Sequence, residues 1–136
     1  MLTAVLPVVG VLVGASPQYF FTRYLEAQRH QRDLRTQAYL DYVKSMSGLA
    51  HLNDPHGSQE RDLLASAADA KARICLYGSG KVVAAFASFE ALGAAVISTS
   101  QCESFVAMIV AMRRDSGNAS RARTEDVRRL PLESKD

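Results

Sequence analysis

The chain begins with a long apolar run that contains no charged residue. Residues 1–22 read MLTAVLPVVGVLVGASPQYFFT, and Arg23 is the first charged residue. A helix needs about 20 mostly apolar residues to cross a bilayer core, and aromatic residues beside a basic one are typical of the membrane–water interface. The pattern predicts a membrane anchor over 1–22. Its predicted interface residues are Tyr19, Phe20, Phe21, Arg23 and Tyr24.

Two other interpretations of this run remain open. Val13-Gly14-Ala15 offers the small residues of a signal-peptide cleavage site, although no basic residue precedes the apolar run. Alternatively, the run forms a helix buried against another subunit. Ser16-Pro17 also resembles a helix start, which would shorten the spanning part to Leu2–Ala15. For the favoured anchor, Lys and Arg lie only on its C-terminal side, which predicts a single-pass protein of the inner membrane with its following domain in the cytoplasm.

After Arg23 the spacing of apolar residues predicts helices only. We expect one helix to continue from the anchor to about Leu52, with a polar stalk at Glu26–Arg35, and a second helix over Gln59–Tyr77. A third is expected over Gly80–Ile97, and a fourth, with a capping box at Ser100 and Glu103, ending near Asp115. The predicted fold is all-α: a membrane-spanning helix that continues into an antiparallel bundle of about four helices, with domains at 1–22, 23–117 and 118–136.

Apolar stripes on these helices identify a candidate core. Residues recur at steps of three and four, as on the buried face of an amphipathic helix. The first stripe contains Tyr39, Tyr42, Val43, Met46, Leu49 and Ala50, and the second Leu63, Leu64, Ala67, Ala70, Ile74 and Tyr77. The third contains Val82, Val83, Phe86, Phe89, Leu92, Gly93, Val96 and Ile97, and the fourth Cys102, Phe105, Val106, Ile109 and Met112.

Gly78-Ser79-Gly80-Lys81 resembles the end of a phosphate-binding P-loop. The full pattern needs a Gly where this chain has Cys75 and a Ser or Thr where it has Val82. We therefore interpret the sequence as a helix corner, with Gly78 as a left-handed residue after one helix and Ser79 as the N-cap of the next. Ser58 is a candidate N-cap for the second helix.

Few residues have the chemistry of a metal or redox site. His51, Asp54 and His56 flank the loop after the first helix, but their spacing does not match a helical ligand pair and no third strong ligand follows. We expect no metal and no cofactor. Cys75 and Cys102 lie on apolar faces and are interpreted as small core residues, with a disulfide possible only in an oxidising compartment.

Composition adds limits on the partners. The 136 residues are 48% hydrophobic with a net charge of +2, and this balance is too mild to indicate nucleic-acid binding. Residues 118–136 mix both signs of charge with little apolar content, which predicts a disordered polar tail.

Three segments carry a resemblance to known proteins. Ala70–Ser79, Val82–Glu90 and Phe105–Gly117, about a third of the chain, resemble a loose group of small, uncharacterised bacterial and prophage proteins. The resemblance implies one N-terminal span and a cytoplasmic helical hairpin domain. It implies no activity.

No nucleophile lies near a plausible base in the sequence, so we predict a non-enzymatic protein with no catalytic residues. The favoured hypothesis is a membrane-tethered interaction or scaffold module whose partners are the bilayer and either a second copy or another protein. One alternative is an oligomeric membrane-perturbing effector, whose helices would associate through Gly10 and Gly14. A second is an exported helical protein. A ligand-binding bundle would require a buried polar cluster, with the candidates Tyr39, Tyr42, Asp69, Arg73 and Tyr77.

Overall fold

Helices are the only regular secondary structure in the described part of the chain. The structure, a computed structural model, describes the backbone of residues 2–52, 56–117, 126–127 and 129, and the side chains among these from residue 17 onward. It contains four helices and, within those ranges, no strand. They are α1 (Leu2–Ala50), α2 (Ser58–Tyr77), α3 (Gly80–Ala91) and α4 (Thr99–Asp115). The all-α prediction is confirmed, whereas the predicted tail at 118–136 lies almost wholly outside the described residues.

Contacts divide the chain into two compact units, Met1–Arg32 and Asp33–Asp136. In the first unit, α1 is helical from Leu2 onward, without a break at Ser16-Pro17. Among the described residues, no helix combines the length and the apolar character that a membrane crossing requires. The predicted span is therefore unsupported, and its side chains up to residue 16 lie outside those described.

The second unit is a helical bundle around one apolar core. All four helices contribute buried side chains to this core, because each has an apolar stripe. The largest fully buried members are Tyr42, Ile74, Val82, Phe89 and Met108. Their contacts include edge-to-face ring pairs, with ring centroids 5.0 Å apart for Tyr42 and Phe86 and 5.4 Å apart for Phe89 and Phe105.

The predicted stripes agree with the core in most positions. Tyr39, Ala67, Ala70, Phe105, Val106 and Met112 are buried, and Val43, Met46, Val96 and Ile109 pack partly buried against the core. Leu64, Tyr77 and Leu92 are exposed instead. Met108, which the fourth stripe omitted, is fully buried.

Contacts between helices fix their directions. On α1, Gly48 lies against Leu63 of α2, and Asp41 pairs with Arg73 further along α2. The two helices therefore run antiparallel within this unit. Helices α3 and α4 form a closely packed hairpin, so the predicted bundle architecture is found from α1 to α4.

Helix α3 ends at Ala91, and its predicted extension to Ile97 is wrong. Gly93 adopts a φ of +93° in the left-handed region. Its N–H donates to the Glu90 carbonyl, and the Ala94 N–H donates to the Phe89 carbonyl. This pair of hydrogen bonds is the Schellman arrangement that closes a helix C-terminus. Ile97 is consequently 89% exposed rather than part of an apolar helix face.

Two predicted helix starts are also corrected. The capping box of α4 uses Ser98 and Gln101 rather than Ser100 and Glu103. The Gln101 amide additionally donates to the Leu92 carbonyl at 2.7 Å, so this side chain ties the α3–α4 connection together. At α2 the N-cap is Gly57, without a side-chain cap, and Ser58 is the first helical residue.

The α2–α3 corner lies at the predicted place but with different geometry. Gly78 has φ −65° and ψ 149°, an extended conformation open to any residue, so the predicted left-handed conformation is wrong. Glycine is favoured for space instead, because a Cβ there would lie 2.5 Å from the Ile74 carbonyl oxygen. Ser79 precedes α3, and its Oγ accepts from the Val82 N–H at 3.5 Å.

The prediction that both cysteines are core residues is wrong for Cys75, which is exposed; Cys102 is partly exposed, and both thiols are free. Cys75 directly follows the core residue Ile74 and projects from a different face of α2.

Candidate functional site

An exposed aromatic segment occupies the described part of the first unit. Every described side chain from residue 17 to 33 is exposed. Tyr19, Phe20, Phe21 and Tyr24, all predicted interface residues, are each more than half exposed. The Arg23 guanidinium lies over the Tyr19 ring, 5.4 Å from its centroid, which is within the range of a cation–π contact. We call residues 19–24 the aromatic segment.

The aromatic segment surrounds much of the helix rather than forming a narrow stripe. At 100° per residue, its four aromatic side chains spread over an arc of about 200°. A seam that packs against one partner helix is narrower. Within the segment, the Thr22 hydroxyl donates to the Gln18 carbonyl at 2.9 Å, so this polar group already has a partner inside the helix. The geometry suits surroundings that are apolar on several sides.

In the bundle, the carboxylate of Glu90 joins three helices. Its Oε1 accepts from the Tyr42 hydroxyl of α1 at 2.8 Å, and its Oε2 accepts from Lys71 Nζ of α2 at 2.7 Å. Burial and the hydrogen bond to Glu90 raise the pKa of Tyr42 well above its usual value. Both carboxylate oxygens are thus engaged in holding α1 and α2 on α3, which indicates a structural role.

Asp115 joins α4 to α1 in the same way. Arg35 Nη1 lies 3.2 Å from its Oδ1, and the Tyr39 hydroxyl donates to its Oδ2 at 2.5 Å. Burial, reinforced by Asp115, raises the pKa of Tyr39. Tyr39 therefore connects α1 to α4 through its hydroxyl oxygen.

The predicted polar cluster does not converge in one cavity. Arg73 Nη2 lies 2.8 Å from Asp41 of α1 and 2.8 Å from Asp69 of α2, and the Asp41 hydrogen bond is the main cause that raises the pKa of Arg73. Tyr39 and Tyr42 belong to the separate networks described above, and Tyr77 is exposed. Tyr39, Tyr42 and Arg73 form separate links between helices, and the five residues share no common site.

A groove runs between the start of α3 and the C-terminal half of α4. Its volume is about 970 Å³, near the upper end of the range for ligand clefts. It is lined by Ser79, Gly80, Lys81, Ala107, Val110, Ala111, Arg114 and Asp115. We call this the α3–α4 groove. One side is made of small apolar side chains from α4, and its charged residues are Lys81, Arg114 and Asp115.

The cations of the groove differ from those inside the bundle. Arg35, Lys71 and Arg73 are all paired with carboxylates. Among the residues that the structure describes, neither Lys81 nor Arg114 makes an ion pair or side-chain hydrogen bond. Since Asp115 is already neutralised by Arg35, the groove carries an uncompensated positive charge.

The sequence analysis missed the groove. Ala107, Val110 and Ala111 are spaced i, i+3 and i+4 on α4, which is a visible signal for one helix face. Nothing in the sequence indicated that α3 would leave this face partly uncovered. The hypothetical His51–Asp54–His56 metal site has no support within residues 17–52 and 56–117, where no group of His, Cys, Asp and Glu could hold a metal ion. Asp54 itself lies outside the described residues.

Comparisons with known proteins return no relative: no protein-family model, curated protein or solved structure matches this chain. The resemblance carried by Ala70–Ser79, Val82–Glu90 and Phe105–Gly117 stays a prediction.

Proposed function

We propose that this protein is a non-enzymatic helical interaction module tethered to the inner membrane by its N-terminal segment, with the bundle in the cytoplasm. The observation that carries the proposal is the exposed aromatic segment at 19–24, which directly follows an uncharged apolar run. Aromatic side chains with a flanking cation are enriched where a helix leaves the bilayer.

The bundle favours binding over catalysis. Its carboxylates Asp41, Glu90 and Asp115 hydrogen-bond to residues of other helices, and the Ser79 hydroxyl accepts from the backbone of α3. A catalytic base must instead reach a proton of the substrate. The α3–α4 groove offers a surface with charge and apolar area but without a nucleophile beside a free base.

Tethering gives such a module a physical advantage. Confinement near a membrane raises the effective concentration of the bundle for any partner at the same surface. The bundle then needs only a modest affinity for that partner. The tether and the interaction surface are separate parts of this proposal, and separate measurements test them.

Membrane fractionation with a carbonate wash and an intact-mass measurement tests the tether. The full chain is compared with a matched variant in which Val8, Val9, Val11 and Leu12 are replaced by Asn, which removes apolar character without adding charge. We expect the full chain to remain in the washed membrane at full mass and the variant to be released. Release of the full chain, or loss of about its first fifteen residues, would contradict the tether and favour the buried-helix or exported alternative respectively.

A further inference from the structure

The α3–α4 groove combines positive charge with apolar surface. Lys81 and Arg114 are exposed and unpaired among the described residues. Beside them, Ala107 is exposed and Val110 and Ala111 are partly exposed. A surface that is both apolar and positively charged is complementary to a segment that is both apolar and acidic.

The apolar floor extends along α4 from beside Arg114 to Ala107. Along α4, Ala107 and Arg114 are separated by a rise of about 10 Å. An occupant that covers the apolar floor and the cations must therefore span this length. A free inorganic anion would contact only the cations, whereas a peptide segment with apolar and acidic residues would contact both. This length favours a stretch of polypeptide over a small anion.

We propose that the α3–α4 groove is the docking site for an acidic amphipathic segment of a protein partner. The segment places small apolar side chains on Ala107, Val110 and Ala111, and its carboxylates face Lys81 and Arg114. This inference rests on the proposed interaction function and names the chemistry of the partner. It makes no use of the aromatic segment, so the two claims fail independently.

Gly80 provides a way to block the groove without disturbing the fold. A Cβ at this position would meet no atom within 4 Å, and Gly80 is the first residue of α3. Gly80→Leu therefore extends a side chain into open space at the lining of the groove. The substitution leaves both cations in place, which separates steric blocking from a change of charge.

A peptide-binding titration with the full chain in detergent micelles tests the proposal. The probe is a 15-residue amidated helical peptide of Leu, Ala and Glu, with leucines at i, i+3 and i+4 spacing, and its twin carries Lys in place of every Glu. Fluorescence anisotropy of the peptide gives its affinity, and changes in the backbone amide chemical shifts show which residues it contacts. The test variants are Lys81→Glu/Arg114→Glu and Gly80→Leu. The control Lys44→Glu/Arg61→Glu makes the same change in charge at exposed residues outside the groove.

We expect the Glu peptide to bind, the Lys twin not to bind, and the shifts to centre on Ala107, Val110 and Ala111. The Lys81→Glu/Arg114→Glu charge reversal should weaken binding of the Glu peptide at least about tenfold, because each exposed ion pair contributes modestly and the new negative charges repel the peptide. Gly80→Leu should also weaken it, and the control should stay within about twofold. The proposal is overturned if the Glu peptide does not bind, if both peptides bind alike, or if the groove variants match the control.

Three further outcomes would assign the groove to another occupant and overturn the proposal. Inorganic phosphate that reproduces the shifts at Val110 would indicate a free-anion site. A dimer that dissociates on Lys81→Glu/Arg114→Glu would indicate a second copy. Higher peptide affinity after Glu125→Lys/Glu133→Lys would indicate that the chain's own C-terminal residues occupy the groove. Loss of membrane retention with intact peptide binding would reject the tether alone.

Discussion

The two described parts of α1 differ in what surrounds them. From Pro17 to Asp33 every side chain is exposed, including the aromatic segment. From Ala38 to Ser45 the same helix contributes Tyr39 and Tyr42 to the core, and Asp41 pairs with Arg73. Both parts are helical, but among the described residues only the second contributes buried side chains.

This contrast separates helix formation from burial. Most helical stability in proteins comes from tertiary packing rather than from propensity. The second part of α1 has that packing. The aromatic side chains of the first part are exposed to water and contribute no free energy of burial. The proposed bilayer would remove this aromatic arc from water.

Removing an aromatic ring from each region gives the largest expected difference. Phe89 is fully buried against Phe105, so Phe89→Ala should lower the free energy of unfolding by about 4 kcal/mol through lost burial and a cavity. Phe20→Ala should change it by less than about 0.5 kcal/mol. Urea unfolding in micelles, followed by circular dichroism, measures both. Equal losses of unfolding free energy in the two variants would contradict the contrast between a buried and an exposed part of the chain.

Two glycines at the α2–α3 corner test how tightly the bundle is packed. Gly78→Ala forces a Cβ against the Ile74 carbonyl and should cost about 2–3 kcal/mol of unfolding free energy, as overpacking does. Gly80→Ala meets open space and should be neutral or stabilise by about 0.5 kcal/mol. Thermal unfolding of the two variants provides the comparison. A Gly78→Ala protein as stable as the original would refute the close contact.

The links through Glu90 are expected to have an intermediate effect. Glu90→Ala leaves the buried Tyr42 hydroxyl and Lys71 without their partner, which should cost about 2 kcal/mol. Asp62→Ala removes an exposed carboxylate from α2 and serves as the matched control, with an expected change near zero. Chemical denaturation distinguishes them, and a cost shared by both variants would argue against a specific role of Glu90.

The smallest expected effect is a loss of stability at alkaline pH. The folded bundle raises the pKa of both Tyr39 and Tyr42, whereas an unfolded tyrosine titrates near pH 10. Their stabilising contribution is therefore complete below about pH 10 and declines as the pH rises toward the folded pKa values. Unfolding free energies from pH 8 to 11 should fall more steeply for the original protein than for Tyr39→Phe/Tyr42→Phe. Parallel curves would contradict this assignment.

Local sequence signals predicted the helices well and their ends less well. The spacing of apolar residues placed α2 within one residue of its observed start, because amphipathic periodicity reports burial directly. The third stripe continued through Val96 and Ile97, so the periodicity extended α3 past its end. Gly93 ended the helix through its left-handed backbone, a conformation that the apolar pattern does not encode.

Contacts between distant residues could not be predicted from one sequence. Glu90 is the only acidic residue of α3, but its partners Tyr42 and Lys71 depend on how α1 and α2 align with α3. The same holds for Asp115 with Arg35 and for the α3–α4 groove. By contrast, the aromatic segment follows from residues next to one another along a single helix, and its role at a membrane interface stays a prediction.

Tryptophan fluorescence in vesicles with brominated lipid tests most directly whether the aromatic segment, unlike the bundle, lies in the bilayer. The chain contains no Trp, so Phe20→Trp and Leu40→Trp each introduce a single reporter, at positions that are 71% and 65% exposed. We expect blue-shifted, strongly quenched emission from position 20 and water-like, unquenched emission from position 40. Equal quenching at both positions, or water-like emission from position 20, would contradict a bilayer around the aromatic segment.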